Sequence, residues 1–126
     1  MPVLTQPPGT GDVLKYEVNP NYTRETVTLL AGIPYPVGSV LGRITASGKY
    51  TLASNGGTDG AETAAGVLLY AVDATLADAT GIVLARGPSI VSRAGLAYDD
   101  TVNDAAKITA KITELAALGI FTRDAA

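Results

Sequence analysis

The stretch VGSVLGRITASGKYTLAS, Val37 to Ser54, decides the architecture. Its β-branched and apolar residues come in short runs, each interrupted by a glycine: Gly38, Gly42 and Gly48. Runs this short, bounded by Gly and Ser, read as strands joined by tight turns. Gly42 falls inside a strand pattern, SVLGRIT, where it predicts a bulge or a tight corner. ASG then turns the chain and KYTLA leaves the turn as the next strand.

The same pattern continues on both sides. RETVTLLAG (24–32) reads as a strand, and IPYPVG after it carries two prolines that bar a central strand. DVLKYEV (12–18) alternates apolar and polar residues as an edge or partner strand does, and NPN at 19–21 reads as a turn. SNGGTDGAET (54–63) is a polar glycine loop. AAGVLLYAVDA (64–74) is nearly all apolar, which predicts a strand buried on both faces. GIVLARG (81–87) reads as another buried strand, stopped by Gly87-Pro88. SIVSR and LAY are short strands around Gly95, and GIFTR is a terminal one.

One helix stands out, in DDTVNDAAKITAKITELAALGI. Val102, Ala105, Ile108, Ile112, Leu115 and Ala116 fall on one stripe at helical spacing. Thr101, with Asp104 three residues on, looks like an acidic variant of the capping box. Gly119 suits the position after the helix where φ is positive, with Ile120 packing back on Leu115. Lys107 and Lys111 fall on the opposite, solvated face. The expected fold is therefore mainly β: a small barrel or sandwich, braced by one helix in the C-terminal half and preceded by an extended arm. Residues 1–22 are expected to form the arm with the first strand and turn, and residues 23–126 a single β-rich domain.

The chain has 126 residues, one domain's worth. Without the arm, about 100 residues remain, enough for a modest core. That core is made of small material, since the chain has one Phe and no Trp, so association would add useful burial. The net charge is −3 and the basic residues are scattered singly. No basic stripe exists to track a phosphate backbone, which argues against a nucleic-acid partner. There is no cysteine, hence no disulfide framework and no thiolate chemistry. MPVLTQPPGTGD lacks the basic start and apolar run of a signal peptide, and no run approaches the ~18 apolar residues of a spanning helix. A soluble protein kept in the cytosol, with no membrane partner, is the expectation.

Catalysis needs an activated nucleophile, an acid–base pair or a metal. With neither His nor Cys, most nucleophilic triads and zinc sites are excluded. Asp99 and Asp100 precede the helix, where acids interact favourably with its N-terminus. Asp73 and Asp78 flank a turn and suit turn-closing hydrogen bonds better than paired acid–base work. NGGTDG lacks the Gly-Lys-Ser/Thr ending of a phosphate loop, and in SGKY a Tyr stands where the metal-binding hydroxyl belongs. The reading is of a protein that is not an enzyme, with no catalytic, cofactor-binding or metal-binding residue and no cofactor.

A carrier domain of the lipoyl or biotinyl kind is the competing reading, since a glycine turn before a Val-Leu strand, as in VGSVLGRI, occurs there too. Such modules display a modifiable lysine in a hairpin tip such as Met-Lys-Met or Asp-Lys-Ala. Here Lys49 sits in SGKYT, which matches neither, and Lys107 and Lys111 fall on the helix.

Three blocks, in order, are similar to the lambda-type head decoration proteins of tailed phages: GSVLGRITASGKY (38–50), NGGTDGAETAAGVLLYAVDA (55–74), and VLARGP (83–88) followed by AGL and the helix. The resemblance runs from about Arg24 to Phe121. It implies a small β-rich fold with little helix, the β-tulip. It implies homotrimers on the outside of the expanded head, at local threefold positions, that brace the shell against the packaged genome. Their partner is the major capsid protein, and the N-terminal segment helps to attach the trimer. The location implied is the outer capsid surface of the virion, after synthesis in the host cytoplasm.

The arm here, Pro2, Val3, Leu4, Thr5, Gln6 and Pro7, is either a frayed terminus or a segment that adds as a strand to a sheet edge on the capsid protein. Leu96, Tyr98, Ile120 and Phe121 lie outside the two most apolar strands and fit either a contact between copies or ordinary core.

Overall fold

In the computed structural model, residues 13–123 are described. In chain order they form β1 (Leu14–Glu17), the single turn of helix α1 (Pro20–Thr23), β2 (Arg24–Leu29), β3 (Pro34–Tyr35), β4 (Val40–Arg43) and β5 (Tyr50–Leu52). Then come β6 (Ala64–Leu68), β7 (Val72–Asp73), β8 (Ala79–Leu84), β9 (Ser89–Ser92), a 3₁₀ turn (Arg93–Gly95), α2 (Ala105–Ala117) and β10 (Ile120–Arg123). The protein is mainly β, as the strand pattern predicts.

Five strands close into a barrel in the order β2-β5-β4-β6-β8. The seam between β2 and β8 is antiparallel and runs from Arg24 opposite Leu84 to Leu29 opposite Ala79. The ring is completed between β2 and β5 by one pair, Leu29 opposite Tyr50. A three-stranded sheet, β1-β9-β10, and a two-residue pair, β3-β7, complete the fold.

Strand alternation feeds two cores at once. Leu41, Leu68 and Val83 join Leu29, Tyr35 and Ala74 in one cluster. Their chain neighbours Val40, Val67 and Leu84 point the other way, into a second cluster with Val13, Val91, Leu115 and Ile120. Successive residues of a strand face opposite sides, so these strands are covered on both. That is why their sequence reads as an unbroken apolar run. The second cluster is where the small sheet and α2 pack on the barrel.

Gly42 makes the expected bulge, because the pairing of β4 with β6 slips between Leu41 and Gly42. The position also has no room for a side chain: a Cβ there would run into the backbone carbonyl of Ala61. The polar loop 54–63 therefore lies flat on β4. It is fastened by Thr45 N–H to Asp59 O (2.9 Å), Asn55 N–H to Thr101 Oγ1 (2.9 Å) and Ala64 N–H to Glu114 Oε1 (2.8 Å).

Several expectations are corrected. The apolar run 64–74 is not one strand; β6 stops at Leu68, the chain turns with Tyr70 exposed, and β7 pairs with β3 in a different sheet. β8 is not buried throughout, since Ile82 points outward and is partly exposed. LAY is not a strand; Ala97 makes only an isolated bridge to Ser39. NPN opens α1, with Asn19 Oδ1 accepting from Asn21 N–H at 2.9 Å.

The long helix is capped by Asp104, whose Oδ1 accepts from Lys107 N–H at 2.9 Å, and not by Thr101. Thr101 is occupied by Asn55 and by the Asp99 carboxylate. Gly119 follows the helix with φ +86°, as expected. Lys111 is not on a solvated face. It is 3% exposed, and its ammonium donates to the Glu62 carbonyl and, at 3.3 Å, to Glu114 Oε1.

Candidate functional site

The chain's seven aromatic residues are six Tyr and one Phe, and Tyr35 alone is fully buried. Tyr16, Tyr22, Tyr70 and Phe121 are each about half exposed. Apart from Tyr35, the buried core side chains are aliphatic, while four of the seven aromatic residues are placed on the surface. Aromatic residues so placed are the common anchors of protein–protein contacts.

Strand register brings two of them together. Tyr16 on β1 and Phe121 on β10 both lie opposite Ile90 on the central strand β9. Residues directly opposite share a face. Tyr16, Ile90 and Phe121 thus form one row across the outer face of the small sheet. The inward residues Val91 and Ile120 are buried in the core beneath it.

The strand at one end of this row is latched to the barrel. Glu17 accepts from Arg24 Nη2 at 2.6 Å, from Arg24 Nε at 3.0 Å and from Thr23 Oγ1 at 2.6 Å. Arg24 Nη1 also reaches Tyr70 OH at 3.3 Å. Burial pushes the Glu17 carboxyl up, but the bonds from Arg24 and Thr23 and the Arg24 charge outweigh it and hold the carboxyl below its ordinary range. Nearby, the Arg86 guanidinium lies over the Tyr22 ring, 5.3 Å from its centre, and bonds to the Tyr22 carbonyl and the Glu25 carboxylate.

The carboxylates considered for chemistry have structural partners. Asp73 closes its own turn, accepting from Thr75 N–H at 3.0 Å and from the Thr75 hydroxyl. Asp78 accepts from Ala31 N–H at 2.8 Å and pairs with Lys49 at 2.6 Å, so it joins separate segments rather than its own turn. Those hydrogen bonds hold both carboxyls below their ordinary range. Among the described residues no three Asp, Glu, His or Cys lie together as a metal site would need. No helix among them is long and apolar enough to cross a membrane.

Of the residues read as contacts, Leu96 and Ile120 are buried in the chain's own core and offer little or no surface to another copy. Tyr98 packs partly buried against the same cluster, its hydroxyl without a partner among the described residues and its pKa raised by burial. Phe121 is 52% exposed. Pro2, Val3, Leu4, Thr5, Gln6 and Pro7 lie outside the described residues. Tyr16 and the Glu17 latch were not singled out from the sequence. The signal was there in the alternation of LKYE, but not the partner strand that gives it a row.

A closed barrel with strapped loops and outward aromatics defines a class: a small β scaffold that presents apolar groups at its surface. The chain matches the family model of the bacteriophage lambda head decoration protein D over residues 3–120, and it belongs to that family. No curated protein matches it. Membership makes it a structural protein of the phage virion that decorates the capsid, and this is not an enzyme family.

Proposed function

We propose that this chain binds as a homotrimer to the outer surface of the expanded head, at local threefold positions. There it staples neighbouring major capsid subunits against the pressure of the packaged genome. The observation that carries this reading is the family match, which takes in the arm from residue 3 onward as well as the folded domain. The latched β1 supports it by giving the arm a fixed point of departure.

Pro2, Val3, Leu4, Thr5, Gln6 and Pro7 attach by adding as a strand to an exposed sheet edge of the capsid protein. Main-chain bonds supply affinity, and Val3 and Leu4 fill pockets on alternate sides. Ordering a free segment costs free energy, so a single arm binds weakly. Three arms on one trimer make the later contacts intramolecular, worth a factor of roughly 10²–10⁴ in avidity. Preference for the expanded shell is a difference in affinity between two states of the shell. It arises if expansion exposes the edge that the arm pairs with. Nothing in the structure favours the carrier-domain reading, because Lys49 is held in an ion pair with Asp78 instead of standing free at a hairpin tip.

Co-sedimentation tests the proposal. The protein is expected to pellet with expanded shells and to stay in the supernatant with unexpanded ones. A variant lacking residues 2–11 is expected to keep its fold and lose pelleting. Equal pelleting with both shells would refute the selectivity, and normal pelleting of the truncated protein would refute the arm.

A further inference from the structure

We propose that the row Tyr16–Ile90–Phe121 is a second capsid contact, the face of the domain that rests on an apolar surface of the major capsid protein. This inference rests on the capsid-decorating reading and adds a site to it. The row is apolar, spans all three strands of one sheet, and contains the chain's only Phe at half exposure. Exposed apolar groups gathered on one face of a small domain mark an interaction site more strongly than the same groups scattered.

The place where the chain enters the fold identifies the occupant. Residues 1–12 lead directly into β1, and Tyr16 stands at the third position of that strand. A capsid subunit that holds the arm close to its root meets the domain beside this sheet. The Glu17–Arg24 latch fastens β1 to the first residue of β2. The most exposed of the large apolar residues described, Leu76 (97%), is in the turn before β8, beyond the end where Leu29 faces Ala79. Arg24 and Leu84 mark the opposite end, the length of the six-residue β8 and about 17 Å away. Leu76 is thus a control on the same molecule, at the end of the barrel seam away from the Glu17–Arg24 latch beside Tyr16. The face works with the arm: the arm gives register and the row gives apolar burial that needs no ordering of a free segment, so the two add in one docking event.

The test uses the full-length chain with Phe121→Asp, Tyr16→Asp and, as control, Leu76→Asp. Phe121→Ser and Tyr16→Ser replace the aspartates if either variant melts early. Affinity for expanded shells is read by co-sedimentation, solution mass by light scattering and folding by thermal melting. The row variants are expected to lose at least tenfold in shell affinity with mass and melting temperature unchanged, and the control is expected to bind normally. Normal shell binding by the row variants overturns the proposal. So does a fall in their solution mass, which would make the row a contact between copies. If the protein lacking residues 2–11 binds normally while Phe121→Asp does not, the arm reading fails and the row stands. A wild-type protein that pellets with neither shell ends both.

Discussion

Glu17 and Arg24 are joined at 2.6 Å across two different sheets, the carboxylate on β1 and the guanidinium at the first residue of β2. This pair, with Thr23 Oγ1 as a third member, is a polar link between the small sheet and the barrel. It is part-buried, with the Glu17 side chain at 9% exposure, and so escapes much of the solvent screening that weakens surface pairs.

Glu17→Gln removes the charge and part of the bonding while keeping the shape. Hydrogen bonds to charged groups contribute about 1.5–3 kcal/mol. A loss of about 2 kcal/mol is expected, read as a lower denaturant midpoint with unchanged slope. Retention of full stability would show that the latch contributes only geometry.

The same pair predicts a pH dependence. The Glu17 carboxyl is held below its ordinary value of 4.5 in the folded protein. A depressed pKa means that the unfolded chain binds the proton more readily. The latch's contribution is therefore fully present above about pH 5 and is lost as pH falls below 4.5 and through the folded value. Asp73 and Asp78 are shifted the same way and add to the acid sensitivity. The difference in melting temperature between wild type and Glu17→Gln isolates the latch, and it should shrink between pH 5 and pH 2. A constant difference would contradict the assignment.

Lys111 anchors α2 to the loop 54–63 through the Glu62 carbonyl and pairs with Glu114 on its own helix. Lys111→Ala leaves a buried gap and removes the donor from the carbonyl, so a loss of about 2–4 kcal/mol is expected. Lys111→Met keeps the stem and should recover part of that. Amide exchange in residues 54–63 should rise in both variants, since both lose the tether; exchange limited to α2 would argue against it.

Gly42→Ala places a methyl group against the Ala61 carbonyl, where backbone on both sides has little freedom to yield. Overpacking of this kind costs about 1–3 kcal/mol or more. The expected result is a lower melting temperature with faster exchange at Ala61–Ala64. An unchanged melting temperature would mean that loop and strand separate easily.

Much of the fold is legible because it depends on local rules. The bulge at Gly42, the stop of α2 at Gly119 and the proline-limited β3 each follow from what one residue type does to its own backbone. The apolar runs around β4, β6 and β8 announce strands covered on both sides. The pattern does not show where a run must break: Tyr70 looks like one more apolar residue in 64–74 until the chain has to leave the barrel for β3.

Position on a helix proved equally ambiguous at Lys111. Its charge argues for solvent, but a long stem and a nearby carbonyl let it lie under a loop instead. Thr101 lost the cap to Asp104 because a loop 46 residues away in sequence claimed its hydroxyl. Such partners are invisible in a one-dimensional pattern.

By itself, the sequence determined the class of fold, the single long helix, the absence of histidine and cysteine, and the likeness to decoration proteins. These depend on composition and on neighbours a few residues apart. The tertiary structure alone decided that Tyr16, Ile90 and Phe121 stand in one row and that Glu17 meets Arg24 over the junction of two sheets. Those juxtapositions depend on strand register and sheet order, which join residues as far apart in the chain as Tyr16 and Phe121 and leave no periodic trace in it.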